Sequence, residues 1–224
     1  MIKLGLSGTR YSGKDTISKL FKQIGIPIFD ADIVLKFILK YNYELLQKVR
    51  DKVGSKYFNA GTLNSNALIR DGLFNDILDI VIPDILEAYQ IFENKNTQSI
   101  YTIFHSSILF DRIDIYNEMD YTISVYSSLP HRVERACQIL KDRSFDNQIL
   151  INNILSSEKS ELDKNEMATF TIHNYNDFDI LNQVNEVDKK IIDFYLKSLQ
   201  TKPMKKEKVE VISDNFIRIN LSAK

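Results

Sequence analysis

A chain of 224 residues with 44% hydrophobic content can bury one sizeable core, so the expected organisation is one domain, or one domain carrying an insert. A formal net charge of -1 argues against a general nucleic-acid coat or a polybasic membrane patch, and a single cysteine, Cys137, excludes a disulfide framework or a thiolate zinc cluster. No apolar run approaches the roughly 18 residues of a membrane span and no basic, apolar leader opens the chain, so a cytoplasmic protein without membrane or nucleic-acid partners is expected.

Residues 2 to 7 alternate in the manner of a strand, and Ile17, Leu20, Phe21 and Ile24 share one face of a helix predicted over 14 to 24. Between them stands Gly8-Thr9-Arg10-Tyr11-Ser12-Gly13-Lys14-Asp15-Thr16, an almost complete phosphate-binding loop. The glycine spacing lets successive backbone N–H groups turn toward phosphate oxygens, the following helix offers its positive end, and Lys14 reaches the outer phosphates. Asp15 occupies the position where a hydroxyl usually ligates Mg²⁺, with Thr16 next to it; either side chain can serve the metal.

The run Ile26 to Phe29 predicts a second strand ending at Asp30, and helical periodicity follows from Ala31 to about Lys40. This βαβ order implies a mostly parallel sheet, with Asp30 and Asp32 at the carboxyl end of a strand, where ligand-contacting residues gather. One carboxylate of such a pair can accept a proton from a substrate hydroxyl while the other caps the helix or holds a metal-bound water. Residues 43 to 92 read as helices joined by a turn over Asn59-Ala60-Gly61-Thr62. Strands return at 99 to 104 and 121 to 126, helices at 130 to 142 and 144 to 158, then a charged segment at 159 to 166, a last sheet strand at 169 to 172 and a long helix at about 178 to 199. Two alternating segments, 209 to 212 and 216 to 221, flank Ser213-Asp214-Asn215 as a β-hairpin beyond a basic linker. His105 and His173 lie at strand ends and His131 at a helix start; Tyr11 is placed to stack on a base or cover the phosphates.

The phosphate loop, Asp30-Ala31-Asp32, Gly61-Thr62-Leu63-Asn64 with Phe74-Asn75-Asp76, Ile108-Leu109-Phe110-Asp111 and Thr171-Ile172-His173-Asn174 follow in an order and spacing that resembles the dephospho-coenzyme A kinases, from Met1 to about Leu199. That family is similar in fold to nucleoside monophosphate kinases. The resemblance implies an α/β P-loop kinase, its parallel sheet flanked by helices, with a helical substrate insert at about 41–96 and a lid at about 129–165. The kinase domain would span 1–203, and 204–224 would form a linker and hairpin extension.

The activity so implied is transfer of the γ-phosphoryl of ATP, with Mg²⁺, to the ribose 3′-hydroxyl of dephospho-coenzyme A. Carried over by position, Gly8, Ser12, Gly13, Lys14 and Thr16 hold ATP, Asp30 activates the hydroxyl with Asp32 in support, Arg135 clamps the transferring phosphoryl and Asn174 contacts adenine. Asp15 and Thr16 are the candidate metal ligands. Departures fall on acceptor and lid positions: Ala60, Ser65, Ile82, Ser107 and Ile139 stand where the family's pattern has other residues, Arg143 being a shifted alternative for the last. The form Ser12-Gly13-Lys14-Asp15-Thr16 also looks like phage-type deoxynucleoside monophosphate kinases, so a monophosphate acceptor is the alternative. A nucleotide-binding relative without turnover, suggested by Asp15 and the missing lid and acceptor residues and paired as a homo-oligomer through the hairpin edge, is the reading from a different class.

Overall fold

The computed structural model describes residues 1–59, 62–140, 151–152, 155, 161–175 and 179–200, with the backbone of 208–211 and 217–220. By its contacts the chain divides into two compact units, one formed by Met1–Ile28 with Asn96–Lys224 and the other by Phe29–Lys95.

The first unit is built on strands β1 (Ile2–Gly8), β5 (Tyr101–His105), β6 (Tyr121–Tyr126) and β7 (Phe170–His173). With β2 (Ile28–Asp30) they form one sheet in the order β2-β5-β1-β6-β7. β1 pairs in parallel with both β5 and β6, in registers that set Leu6 beside His105 and Gly8 beside Val125. β6 and β7 are parallel too, Tyr126 standing beside His173. Central strands covered on both faces read as apolar runs rather than strict alternation, as the wholly buried β5 does.

Helix α1 (Lys14–Gln23) and the last long helix (Ile180–Gln200, called α9 below) pack on one face. There Ile17 and Phe21 meet Leu4, Leu6, Ile123, Val125, Phe170 and Ile172 together with Val184, Val187 and Ile191. Gly5 faces the other way, and a Cβ on it would come within 2.7 Å of Leu109 and 3.0 Å of Met119, so the chain there packs against bare backbone. The edge strand β7 is closed by Gln183 of α9, whose amide accepts from His173 N–H at 2.8 Å and donates to His173 C=O at 3.0 Å. One side chain thus satisfies both polar groups of an edge residue and fixes where the strand releases the chain at Asn174.

The second unit contains α2 (Ala31–Tyr41), α3 (Tyr43–Val53), α4 (Ser65–Arg70) and α5 (Phe74–Lys95). The sequence predicts helices alone here; the structure adds a two-residue antiparallel ladder, β3 (Phe58–Asn59) with β4 (Thr62–Leu63), across the predicted turn. Phe29 anchors the unit, its ring 5.2 Å from that of Tyr89 and 5.6 Å from that of Phe92. Two further helices in the first unit, α6 (Ile113–Asn117) and the Glu161–Met167 helix (α8), fall where the sequence reading has no element and a merely charged segment respectively. Helix α7 (Leu129–Leu140) starts at the predicted place; the helix predicted over 144–158 lies mostly outside the described residues. β8 (Lys208–Val211) and β9 (Ile217–Asn220) pair antiparallel, Val209 opposite Ile219. Among the described residues no helix is long and apolar enough to cross a membrane.

Candidate active site

The loop after β1 is shaped by backbone constraints that only certain residues meet. Ser12 N–H donates to Thr9 C=O at 3.1 Å, closing a turn in which Tyr11 takes a φ of 63°, the left-handed region that most side chains avoid. Gly13 follows at φ 93° and is the residue from which α1 springs, its carbonyl accepting from Thr16 N–H at 2.9 Å. A Cβ on Gly13 would collide with the Asn174 amide, and one on Gly8 would lie 2.5 Å from Ser12 Oγ and 2.6 Å from the Val125 carbonyl. Gly8 is therefore demanded by space, and Gly13 by space and by its dihedral angle. Tyr11 packs with Val133 against Ala136, Cys137, Ile151 and Leu155.

Two residues brace the loop from behind. The Arg135 guanidinium donates from Nη1 to Tyr11 C=O (3.2 Å), Ser12 C=O (2.9 Å) and Ser127 Oγ (3.1 Å), and from Nη2 to Asn174 C=O (2.6 Å). Asn174, 7% exposed, donates from Nδ2 to Ser12 C=O at 2.7 Å. Its amide is thus engaged with the loop backbone in this conformation, and Arg135 ties that loop to the ends of β6 and β7. Burial lowers the Arg135 pKa, against a smaller opposing pull from Glu134.

A second brace lies nearer the start of the loop. Thr9 Oγ1 donates to Glu161 Oε1 at 2.5 Å, and Arg132 Nε stands 3.2 Å from the same oxygen. Burial pushes the Glu161 carboxyl up, while the Thr9 hydrogen bond, the Arg132 charge and a bond from Ser127 N–H pull it down. Neither Arg132 nor Glu161 was marked by the sequence, because their partners lie far along the chain and a charged segment carries no sign of which member will be buried.

At the mouth of the loop Lys14 is 16% exposed and its Nζ stands 3.9 Å from Asp15 Oδ1. Nε2 of His105, a side chain only 3% exposed, lies 3.3 Å from that same Asp15 oxygen. The His105 ring beside it, aided by the Lys14 charge and opposed by partial burial, holds the Asp15 carboxyl down to about 2. A carboxylate so held is ionised, and an anionic oxygen at a helix N-terminus suits a hard divalent cation. Ser12 Oγ, buried and without a hydrogen-bond partner among the described groups, is a further donor or acceptor in the loop. These features fit a nucleotide phosphate with Mg²⁺. Among the described residues no three His, Cys, Asp or Glu side chains converge, so a cation would rest on few protein ligands plus phosphate oxygens.

The remaining candidates are placed as follows. Asp30 ends β2 and caps α2, its Oδ1 accepting from Ile33 N–H at 2.9 Å, so the capping carboxylate of the pair is Asp30, with Asp32 in the first helical turn. Both belong to the Phe29–Lys95 unit. Thr16 is exposed on α1. His131 is half-buried with Nδ1 2.6 Å from Ser128 Oγ, and the His173 ring stands edge-on to Tyr126 and Tyr175. Arg143 lies outside the described residues.

Residues 2–179 match the family model for dephospho-CoA kinase. A dephospho-CoA kinase of Bacteroides fragilis is 27% identical over 192 residues, covering 83% of this chain and 91% of its own, and one of Clostridium perfringens is 29% identical over 145 residues, covering 60% and 71%. Among solved structures, TT1252 from Thermus thermophilus is similar with a TM-score of 0.66 at 20% identity, covering 86% of this chain and 96% of that one. The dephospho-CoA kinase of Campylobacter jejuni is similar with a TM-score of 0.54 at 19% identity, covering 84% and 96%. With a parallel α/β sheet flanked by helices, a phosphate loop after its first strand and a family match across most of its length, the chain belongs to the dephospho-CoA kinase family.

Proposed function

We propose that the protein transfers the γ-phosphoryl group of ATP to the ribose 3′-hydroxyl of dephospho-coenzyme A, the last step of coenzyme A synthesis. The observation that carries this reading is the braced phosphate loop, with Lys14 at its mouth, inside a chain that matches the family over residues 2–179.

When bound, Mg²⁺ supplies charge neutralisation at the phosphate oxygens. Lys14 and the loop N–H groups bind the phosphates and meet the charge that develops on them, a task that is mostly positioning plus electrostatics. Asp15 or Thr16 serves the metal. Asp30 accepts the proton of the 3′-hydroxyl as that oxygen bonds to the γ-phosphorus, while the bond from phosphorus to the β–γ bridging oxygen breaks and ADP leaves. Asp32 supports that carboxylate. Arg135 and Asn174 hold the loop in shape around the nucleotide, and the Arg135 charge adds to the field at the phosphates. Water exclusion falls to the lid segment about 129–165.

The test is a coupled ADP-release assay with Mg-ATP, comparing dephospho-coenzyme A with nucleoside and deoxynucleoside monophosphates. Turnover on dephospho-coenzyme A that is lost in Lys14→Ala and Asp30→Ala is the expected result. Turnover confined to a monophosphate would move the acceptor to the alternative reading, which the loop form Ser12-Gly13-Lys14-Asp15-Thr16 favours. Nucleotide binding with no turnover on any acceptor would leave a binding protein.

A further inference from the structure

We propose that Asp15 and His105 form a linked pair that makes nucleotide binding at this loop conditional on a divalent cation, with Asp15 rather than Thr16 as the cation's protein ligand and His105 as the residue that positions it. The inference rests on the nucleotide-binding reading of the loop and goes beyond it by choosing between the two candidate ligands and giving His105 a task.

Consecutive residues of a helix point about 100° apart, so Asp15 and Thr16 present different directions from α1. Asp15 faces the mouth of the loop: one of its oxygens lies between Lys14 Nζ at 3.9 Å and His105 Nε2 at 3.3 Å. Thr16 is exposed on the next step round the helix. His105 is fixed by the fold, since β5 pairs with β1 in a register that sets His105 beside Leu6, and the next residue donates from Ser106 N–H to Leu6 C=O at 3.0 Å. A buried imidazole, 3% exposed, thus holds a carboxylate whose own side chain is 72% exposed.

The chemistry differs from that of the hydroxyl usual at this position. A neutral hydroxyl can donate to a phosphate oxygen, whereas a carboxylate repels it until a cation stands between them. A loop carrying Asp15 therefore binds a bare nucleotide poorly and a metal nucleotide well. His105 keeps the carboxylate turned toward the mouth, as partners behind a ligating group generally do.

Calorimetric titration of ADP into the full chain, with excess MgCl₂ and with EDTA, measures the coupling directly. The expected ratio of the two dissociation constants in the parent is about tenfold or more, within the usual range for two coupled ligands. Asp15→Asn should bring the ratio toward unity while binding metal-free ADP as tightly as the parent or more so, which also reports an intact loop. Thr16→Ala should keep the parent ratio. His105→Phe should lower it and His105→Gln, which retains a donor, should restore part of it. Electron paramagnetic resonance of Mn²⁺ added to the ADP complexes should find the ion held more tightly in the parent and Thr16→Ala than in Asp15→Asn, where the ADP phosphates alone hold it. A full ratio in Asp15→Asn, its collapse in Thr16→Ala, or no change in His105→Phe overturns this proposal while the nucleotide reading stands. Failure of the parent to bind ADP under either condition overturns both.

Discussion

Replacing Arg135 by Met separates a residue that frames the loop from one that acts only on the transferring group. The guanidinium makes four bonds of 3.2 Å or less, to the carbonyls of Tyr11, Ser12 and Asn174 and to Ser127 Oγ. Bonds from a charged donor contribute roughly 1.5–3 kcal/mol each, so simple addition would give about 6–12 kcal/mol. That sum is too large: the four share one rigid group, its desolvation opposes them, and water reaches a half-buried site once the side chain is gone. Removing the donor leaves neutral carbonyls short of a partner, at about 1–3 kcal/mol for each that water cannot reach, and partial exposure brings the expectation to about 2–4 kcal/mol. For a chain of this size that corresponds to a fall in Tm of about 5–15 °C. Thermal unfolding followed by circular dichroism, with and without ADP, reads it, and ADP affinity should weaken in parallel because the loop carbonyls lose their anchor. A variant with unchanged Tm and ADP affinity but a kcat for phosphoryl transfer reduced by about a hundredfold would refute the framing argument and restore Arg135 to a purely transition-state role.

Gly13→Ala should destabilise the fold by about 1–3 kcal/mol, through its positive φ and its collision with the Asn174 amide, and should abolish measurable ADP binding; titration calorimetry and denaturant unfolding check both. Lys14→Ala should fold normally yet lose phosphoryl transfer by about a hundredfold or more, since its charge is needed at the phosphates rather than in the core; equal kcat/KM in variant and parent would count against the loop as the catalytic centre. Glu161 supplies a pH test. Its folded pKa is raised, so its contribution to stability is fully present below the ordinary glutamate value of 4.5 and is lost as pH rises through the higher folded value. Unfolding free energies of the parent and Glu161→Gln, measured from acid to neutral pH, should therefore diverge in the variant's favour as pH rises; a constant difference would contradict the burial of that carboxylate.

The phosphate loop was legible because its shape rests on backbone. Gly8 and Gly13 stand where a side chain would strike Val125 or Asn174, and such demands leave a mark in the residue string. The sheet was legible for a related reason, as buried parallel strands need apolar runs and βα alternation needs helices between them. What could not be read are pairings set by register. His105 meets Asp15 because β5 lies beside β1 with Leu6 opposite His105, a relation that no local pattern carries. Thr9 and Glu161, 152 positions apart, meet for the same kind of reason. The packing of Tyr11 against Ala136 and Cys137 has no local sign, since an aromatic ring in a loop gives no hint of which side has apolar company. The β3–β4 ladder escaped notice because two residues are too few for alternation to register.

The bond that forms distinguishes transfer to the 3′-hydroxyl from hydrolysis of ATP. Incubation of the full chain with Mg-ATP and dephospho-coenzyme A, followed by ³¹P NMR of the products, observes it without coupling enzymes. A new phosphomonoester resonance coupled to the ribose H3′, growing with ADP and missing in Lys14→Ala, is the predicted result. Conversion of ATP to ADP and inorganic phosphate with no new phosphomonoester, or an unchanged spectrum from protein that binds ADP, would contradict it.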